Sequence, residues 1–205
     1  MSDQYWYDPR KGHGLPHDPI GSIVAPRPIG WISTHDGAGR RNLAPYSFFN
    51  LFNYRPPIVG FASCGYKDTL RNAQRTGEFV CNLVTRDLTE RMNATSASVA
   101  TDTDEFALAG LTSAPSVSVG APRVAESPVN LECRVSEIVR LHDASGELVS
   151  TWLILGEVVG VHIAHRLLSR GLYDTAEAVP VLRGGGRTDY FQLRPDALFR
   201  MQQPL

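Results

Sequence analysis

The chain has 205 residues, 42% of them hydrophobic, which suffices for the core of one domain and is too apolar for a disordered segment. Twenty basic residues against 21 acidic ones give a formal charge of -1. With no long run of either sign, this leaves no footprint for nucleic acid or an anionic membrane surface. No apolar run approaches the ~20 residues of a transmembrane helix. The opening MSDQYWYDPRKG also lacks the apolar centre of a signal peptide, so a cytoplasmic location is expected.

Residues 1–19 read as a leader, with His13 and His17 in a solvated Gly/Pro-rich stretch. Pro26 and Pro28 then force an extended entry at Arg27. PIGWIST is β-rich and HDGAG supplies the glycines of a hairpin turn, which also carries His35. The returning segment NLAPYSFFNLFN carries Pro45, which cannot donate a ladder hydrogen bond, so an edge or bulge is expected there. IVGFASC follows as a buried strand.

GYKDTLRN comes next. Asp68 or Thr69 is placed to cap a helix running to about Thr76, with Gly77 as the left-handed C-terminal residue. The same arrangement has a sharper reading: free N–H donors at a helix start, together with the Lys67 cation, suit a phosphate. EFVCNLV predicts a further strand. Asp87 and Glu90 suggest a capping box for a helix through LTERMNATS, and TDEFALAG a helical turn ending at Gly110. Two long antiparallel strands follow from Val129, joined by HDASGE, which holds His142; a helical piece at AHRLLSRG and a YFQL strand close the series.

Six or seven strands, short helices and no regular βαβ alternation point to a mainly β domain, an antiparallel barrel with peripheral helices. Cys64, Cys81 and Cys133 lie in apolar strand-like runs without a CxxC pair and are expected to be reduced and buried. There is no GxSxG elbow and no P-loop. RGGG at 183–186 does not open a helix after a strand and reads as a flexible loop. His162 and His165 lack an evident acidic third ligand, so no metal site is expected.

Taken in order, PRPIGWIST, NLAPYSFFN, PPIVGFAS, KDTLRN, TGEFVCNLV, MNATSA and VAESPVNLECRVSEI resemble the flavin reductase-like, FMN-binding split-barrel family, in particular its longer members. The likeness runs from about Ile20 to Leu193, within one domain spanning 1–205. It implies a six-stranded antiparallel split β-barrel, a homodimer, and FMN held noncovalently, with FAD as an alternative occupant. By that resemblance Lys67, Asp68 and Thr69 lie at the FMN phosphate with Ser63 beside them. Ala44, Pro45, Tyr46 and Ser47 line the isoalloxazine, and Trp31 and Ser33 form a wall. Asn42, Arg27 and, from RGGGRTDYF, Arg183, Gly185 and Tyr190 are weaker candidates, each equally well explained as a turn or surface residue.

The resemblance further implies an NAD(P)H-dependent flavin reductase that serves a partner monooxygenase, with no side chain acting as acid or base. One departure bears on the donor. Many shorter members carry Asp-His ahead of the GEV segment, whereas this chain has Ser150-Thr151-Trp152 ahead of LILGEVV. A noncatalytic FMN-binding electron carrier is therefore the alternative. An oxidase acting on a phosphorylated vitamer is disfavoured, because the sequence displays no evident basic cluster for a second phosphate.

Overall fold

The computed structural model describes residues 3–202 and 204. Seven strands form one antiparallel sheet: β1 (Gly30–His35), β2 (Arg41–Tyr46), β3 (Phe49–Tyr54), β4 (Pro57–Cys64), β5 (Glu78–Asn82), β6 (Val129–His142) and β7 (Leu148–Ile163), in the order β2-β1-β5-β6-β7-β4-β3. The count exceeds the expected six because NLAPYSFFNLFN is not one strand. It breaks at Ser47 and Phe48, sending β2 to one edge of the sheet and β3 to the other. Pro45 sits on edge strand β2, where its missing donor costs no ladder bond.

The sheet curls until its ends meet. Tyr46 of β2 and Phe61 of β4 have ring centroids 4.8 Å apart. Curvature is aided by register shifts between β6 and β7 at Leu155/Gly156 and Val158/Gly160. At Gly156 a Cβ would stand 2.5 Å from Phe79 Cε1, so only glycine lets that buried ring lie against β7. Phe79 in turn meets Phe61 edge-on at 5.3 Å.

Among the described residues, besides a single helical turn at Ile20–Ile23, three helices flank the barrel: α1 (Asp68–Thr76), α2 (Thr89–Ala94) and α3 (Glu105–Leu108). Helix α1 buries Leu70 and Ala73 against the barrel interior and ends on Gly77 at φ 74°. A second apolar cluster, centred on Trp31, Leu43, Met92 and Phe106, joins the outer face of β1 and β2 to α2 and α3. The alternation of β1 explains the division, since Ile32 enters the first cluster and Trp31 the second. The expected Asp87–Glu90 capping box does not form. A 3₁₀ turn, Arg86–Leu88, precedes α2, and the Thr85 hydroxyl donates to the Asp87 carboxylate. The AHRLLSRG piece is likewise only a 3₁₀ turn, His165–Leu167.

RGGG is not a free loop: it is the turn between two short paired strands, Val181–Arg183 and Tyr190–Gln192, with Gly184 N–H donating to Asp189 O at 2.8 Å. Arg27 braces this corner, its guanidinium donating to the carbonyls of Gly21, Val24 and Gly184. His162 hydrogen-bonds the buried Glu132 carboxylate at 2.5 Å, and His35 ends β1 in contact with Glu78 at 2.7 Å. No helix among the described residues is long and apolar enough to cross a membrane.

Candidate functional site

Strand β4 runs into Gly65, which takes φ 92° and turns the chain so that Lys67 becomes the N-terminal cap residue of α1. The expectation that Asp68 or Thr69 caps the helix is corrected: both lie inside the first turn, and no side chain caps it. The first helical backbone bond is from Arg71 N–H to Lys67 O at 3.0 Å. The N–H groups of Asp68, Thr69 and Leu70 therefore precede the ladder and keep their donor capacity. The side chains here are already committed elsewhere. Asp68 pairs with Arg71 at 2.5 Å, and Thr69 Oγ1 accepts from the Asn42 amide at 2.9 Å. Lys67 is exposed and has no carboxylate partner among the described residues.

This helix start opens on a cleft of about 520 Å³. Its first wall is the end of β2 and the break after it, Ala44 to Phe48. The second is Ala62 and Cys64 of β4, leading to Lys67, Asp68 and Thr69. The third is the segment after α2, Thr95 to Val99 with Thr101, and Glu105 of α3 completes the lining. Of the residues expected from the sequence, Ala44, Pro45, Tyr46, Ser47, Lys67, Asp68 and Thr69 thus meet in one groove, as does Asn42.

Three others stand behind it. Trp31 is fully buried and donates its indole N–H to Thr95 Oγ1 at 2.9 Å, so it supports the third wall from the core. Ser33 is fully buried on the same face, donating to Pro122 O at 2.5 Å and accepting from the Asn82 amide at 3.1 Å. Ser63 points opposite to Ala62 and Cys64, as strand alternation requires, and its hydroxyl donates to Gly65 O at 3.0 Å, fixing the turn into Lys67. Arg27, Arg183, Gly185 and Tyr190 lie outside the cleft; Arg183 stacks over Tyr190 at 4.8 Å.

Sequence reasoning passed over Cys64, expected to be buried but exposed on the cleft wall, and the hydroxyl-rich segment after α2. The latter carried a signal in its run of Thr and Ser. Glu105 carried none. It is buried by the packing of α3 on β2, where its carboxylate accepts the Leu43 N–H at 3.2 Å, and burial raises its pKa above the usual carboxylate value. Burial likewise raises that of the Tyr46 hydroxyl, which lies beside Thr69 and Ser63.

A family model for the flavin reductase like domain matches residues 23–182. The chain belongs to that family. A relative from Halalkalibacterium halodurans, the uncharacterized protein BH2278, is 38% identical over 173 residues, spanning 82% of this chain and 81% of its own length. Two solved structures are similar throughout. The 2-nitrobenzoate 2-nitroreductase NbaA of Pseudomonas fluorescens is 27% identical with a TM-score of 0.79, over 90% of this chain and 88% of that one. Nitrilotriacetate monooxygenase component B of Bacillus cereus is 27% identical with a TM-score of 0.77, over 91% of each chain. The flavin reductase-like fold is thus a mainly β split barrel here, with one strand beyond the six expected. The departure at Ser150-Thr151-Trp152 now has a local account. Trp152 is met edge-on by Tyr66 at 5.8 Å and covered by the Arg140 guanidinium at 5.0 Å, and none of the three lines the cleft.

Proposed function

We propose that the chain is a homodimeric, cytoplasmic FMN flavoprotein acting as an NAD(P)H-dependent flavin reductase for a partner oxygenase. The observation that carries this reading is the start of α1: the N–H donors of Asp68 and Thr69, which precede the helical ladder, and a lysine with no carboxylate partner among the described residues, on the lining of a groove large enough for a flat ring system. The residues present fit the group. Asp68 does not oppose an anion at full strength because Arg71 neutralises it, and raising the Glu105 pKa by burial favours its uncharged form on the same lining.

When bound, FMN supplies hydride acceptance from a nicotinamide, chemistry that needs no protein acid or base. The chain's own residues bind and orient. Lys67 and the α1 donors take the phosphate, the Thr69–Asn42 pair holds the junction of α1 and β2, and the backbone from Ala44 to Ser47 meets the ring's polar edge. The hydroxyls after α2 border the remaining side. Edge strand β3 supports the dimer: Leu51, Phe52 and Tyr54 are exposed in a row beside Phe48 of the cleft wall, and unpaired edge backbone of this kind is normally covered. Likeness to a monooxygenase component supports the oxygenase partner.

The test is anaerobic stopped-flow spectroscopy of the FMN-loaded chain mixed with NADH or NADPH. Rapid bleaching of the flavin band is expected with at least one donor. FMN bound but unbleached by either would leave the noncatalytic electron carrier and remove the reductase.

A further inference from the structure

Among the described residues two carboxyl groups line the cleft, Asp68 and Glu105, and they are placed differently. Asp68 lies in the first turn of α1 and pairs with Arg71 at 2.5 Å. Glu105 opens α3, is only 7% exposed, and has no cation within ion-pair distance among the described residues. Its Oε2 accepts the Leu43 N–H at 3.2 Å, a donor on the free side of edge strand β2. The other oxygen takes no hydrogen bond from another residue and keeps contact with the space of the cleft. Two neighbouring residues of β2 tie this carboxyl to the α1 start: Leu43 holds Glu105, and Asn42 donates to Thr69 Oγ1 at 2.9 Å.

The groups around Glu105 give its anion little support. On α3 the neighbouring Asp104 carboxylate is taken by Arg41 of β2 and by the Phe106 and Ala107 N–H groups. Asp68 of α1 adds negative charge that Arg71 partly offsets, and on β2 the Tyr46 hydroxyl beside Thr69 and Ser63 is neutral. Burial is the main cause that raises the Glu105 pKa; the Leu43 N–H works against it, and Asp68 and Asp104 reinforce it. Holding the Leu43 N–H is a task that an uncharged oxygen performs equally well, so that contact does not account for an ionisable group on the lining.

We propose that Glu105 is the proton-linked residue of the cleft: binding of a phosphorylated flavin adds a solvent proton to its carboxyl, so that FMN brings a proton uptake that riboflavin does not. The inference rests on the proposed placement of the FMN phosphate at the start of α1. A carboxylate with little water and no cation beside it shares a lining with a phosphate only at a cost in charge repulsion. Protonation removes that repulsion, breaks no bond of the ligand, and turns the oxygen facing the cleft from an acceptor into a donor. The sign follows. Below the ordinary carboxylate value of 4.5 the free and bound states hold the same proton, whereas above the raised pKa the proton must be acquired on binding, and FMN affinity falls as pH rises.

The test is isothermal titration calorimetry of the flavin-free chain with FMN and with riboflavin, from about pH 5 to 8 in buffers of differing ionisation enthalpy, on the wild type and on Glu105→Gln. Glutamine keeps an oxygen for the Leu43 N–H, and circular dichroism checks that the fold is retained. With FMN the wild type should take up as much as about one proton more than the variant, and with riboflavin the two should agree. At the alkaline end the variant should bind FMN about tenfold more tightly than the wild type, and at the acid end the two should lie within about twofold. The second ionisation of the FMN phosphate, at about pH 6, is common to both proteins and cancels in the comparison. Equal uptake by the two proteins, or equal uptake with the two flavins, would overturn the inference and leave the proposed FMN site standing. Wild-type protein that binds neither flavin, or binds FMN no better than riboflavin, would overturn both. Should the variant not fold, difference infrared spectroscopy of the wild type reads the same event: a protonated-carboxyl band should grow on adding FMN but not riboflavin, and its absence would refute the assignment.

Discussion

Replacing Lys67 by alanine isolates the charge at the helix start. The side chain is exposed and makes no ion pair among the described residues, so its removal leaves no buried partner unsatisfied, and stability should change by less than about 0.5 kcal/mol. Against a bound phosphate it supplies one charge-assisted hydrogen bond, about 1.5–3 kcal/mol, which corresponds to roughly 10- to 150-fold in the FMN dissociation constant. The α1 N–H donors remain in the variant, so binding should be weakened rather than abolished. Fluorescence titration with FMN and with riboflavin, which lacks the phosphate, separates the charge from the ring. FMN affinity should fall by that factor while riboflavin affinity stays within about twofold, and the difference should shrink as salt is raised. Unchanged FMN affinity, or equal losses for the two ligands, would show that Lys67 does not face the anion.

Gly156→Ala should destabilise the barrel by on the order of 1–3 kcal/mol, because the new methyl meets the Phe79 ring on one side and Arg134 O at 3.2 Å on the other. A thermal melt should fall by roughly 2–12 °C. Glu105→Gln tests the buried carboxyl. A folded pKa raised by burial means stability that is complete below the ordinary value of 4.5 and declines as pH rises through the folded pKa. The wild type should therefore lose stability over that upward range and the glutamine variant should lose less, as read by urea denaturation at successive pH values. Tyr54→Glu together with Leu51→Glu places charge on the exposed row of β3, and should raise a dimer dissociation constant at least tenfold in analytical ultracentrifugation without altering the circular dichroism. An unshifted equilibrium would put the interface elsewhere.

Much of the barrel was legible because its signals are local. Asp36-Gly37 and Asp143-Ala144-Ser145-Gly146 make hairpins from the conformations their residues favour, and Gly77 ends α1 with the positive φ that glycine allows. The split of β2 from β3 was not legible, since two aromatic runs separated by Ser47 carry the same β propensity whether they pair with one neighbour or with opposite edges. Among the candidate site residues, those on the β2 end and the α1 start share the cleft, and their proximity could be read from consecutive elements. Trp31, Ser33 and Ser63 do not line the cleft: Ser63 is turned away by the alternation that aims Ala62 and Cys64 at it, and β1 as a whole lies behind it, which no local pattern announces. Glu105 gave no linear pattern at all, because only folding brings α3 against β2 at the cleft.

The exposed thiol on the cleft wall has a practical consequence. Cys81 and Cys133 are buried, and the loss of hydration pushes the Cys81 thiol up to about 12 and raises Cys133 as well, so neither offers a reactive thiolate near neutral pH. Alkylation by a maleimide dye should therefore be confined to Cys64. A ligand lying in the groove would shield that sulfur, so labelling speed becomes a reporter of occupancy in the unmutated chain, readable without colour or turnover.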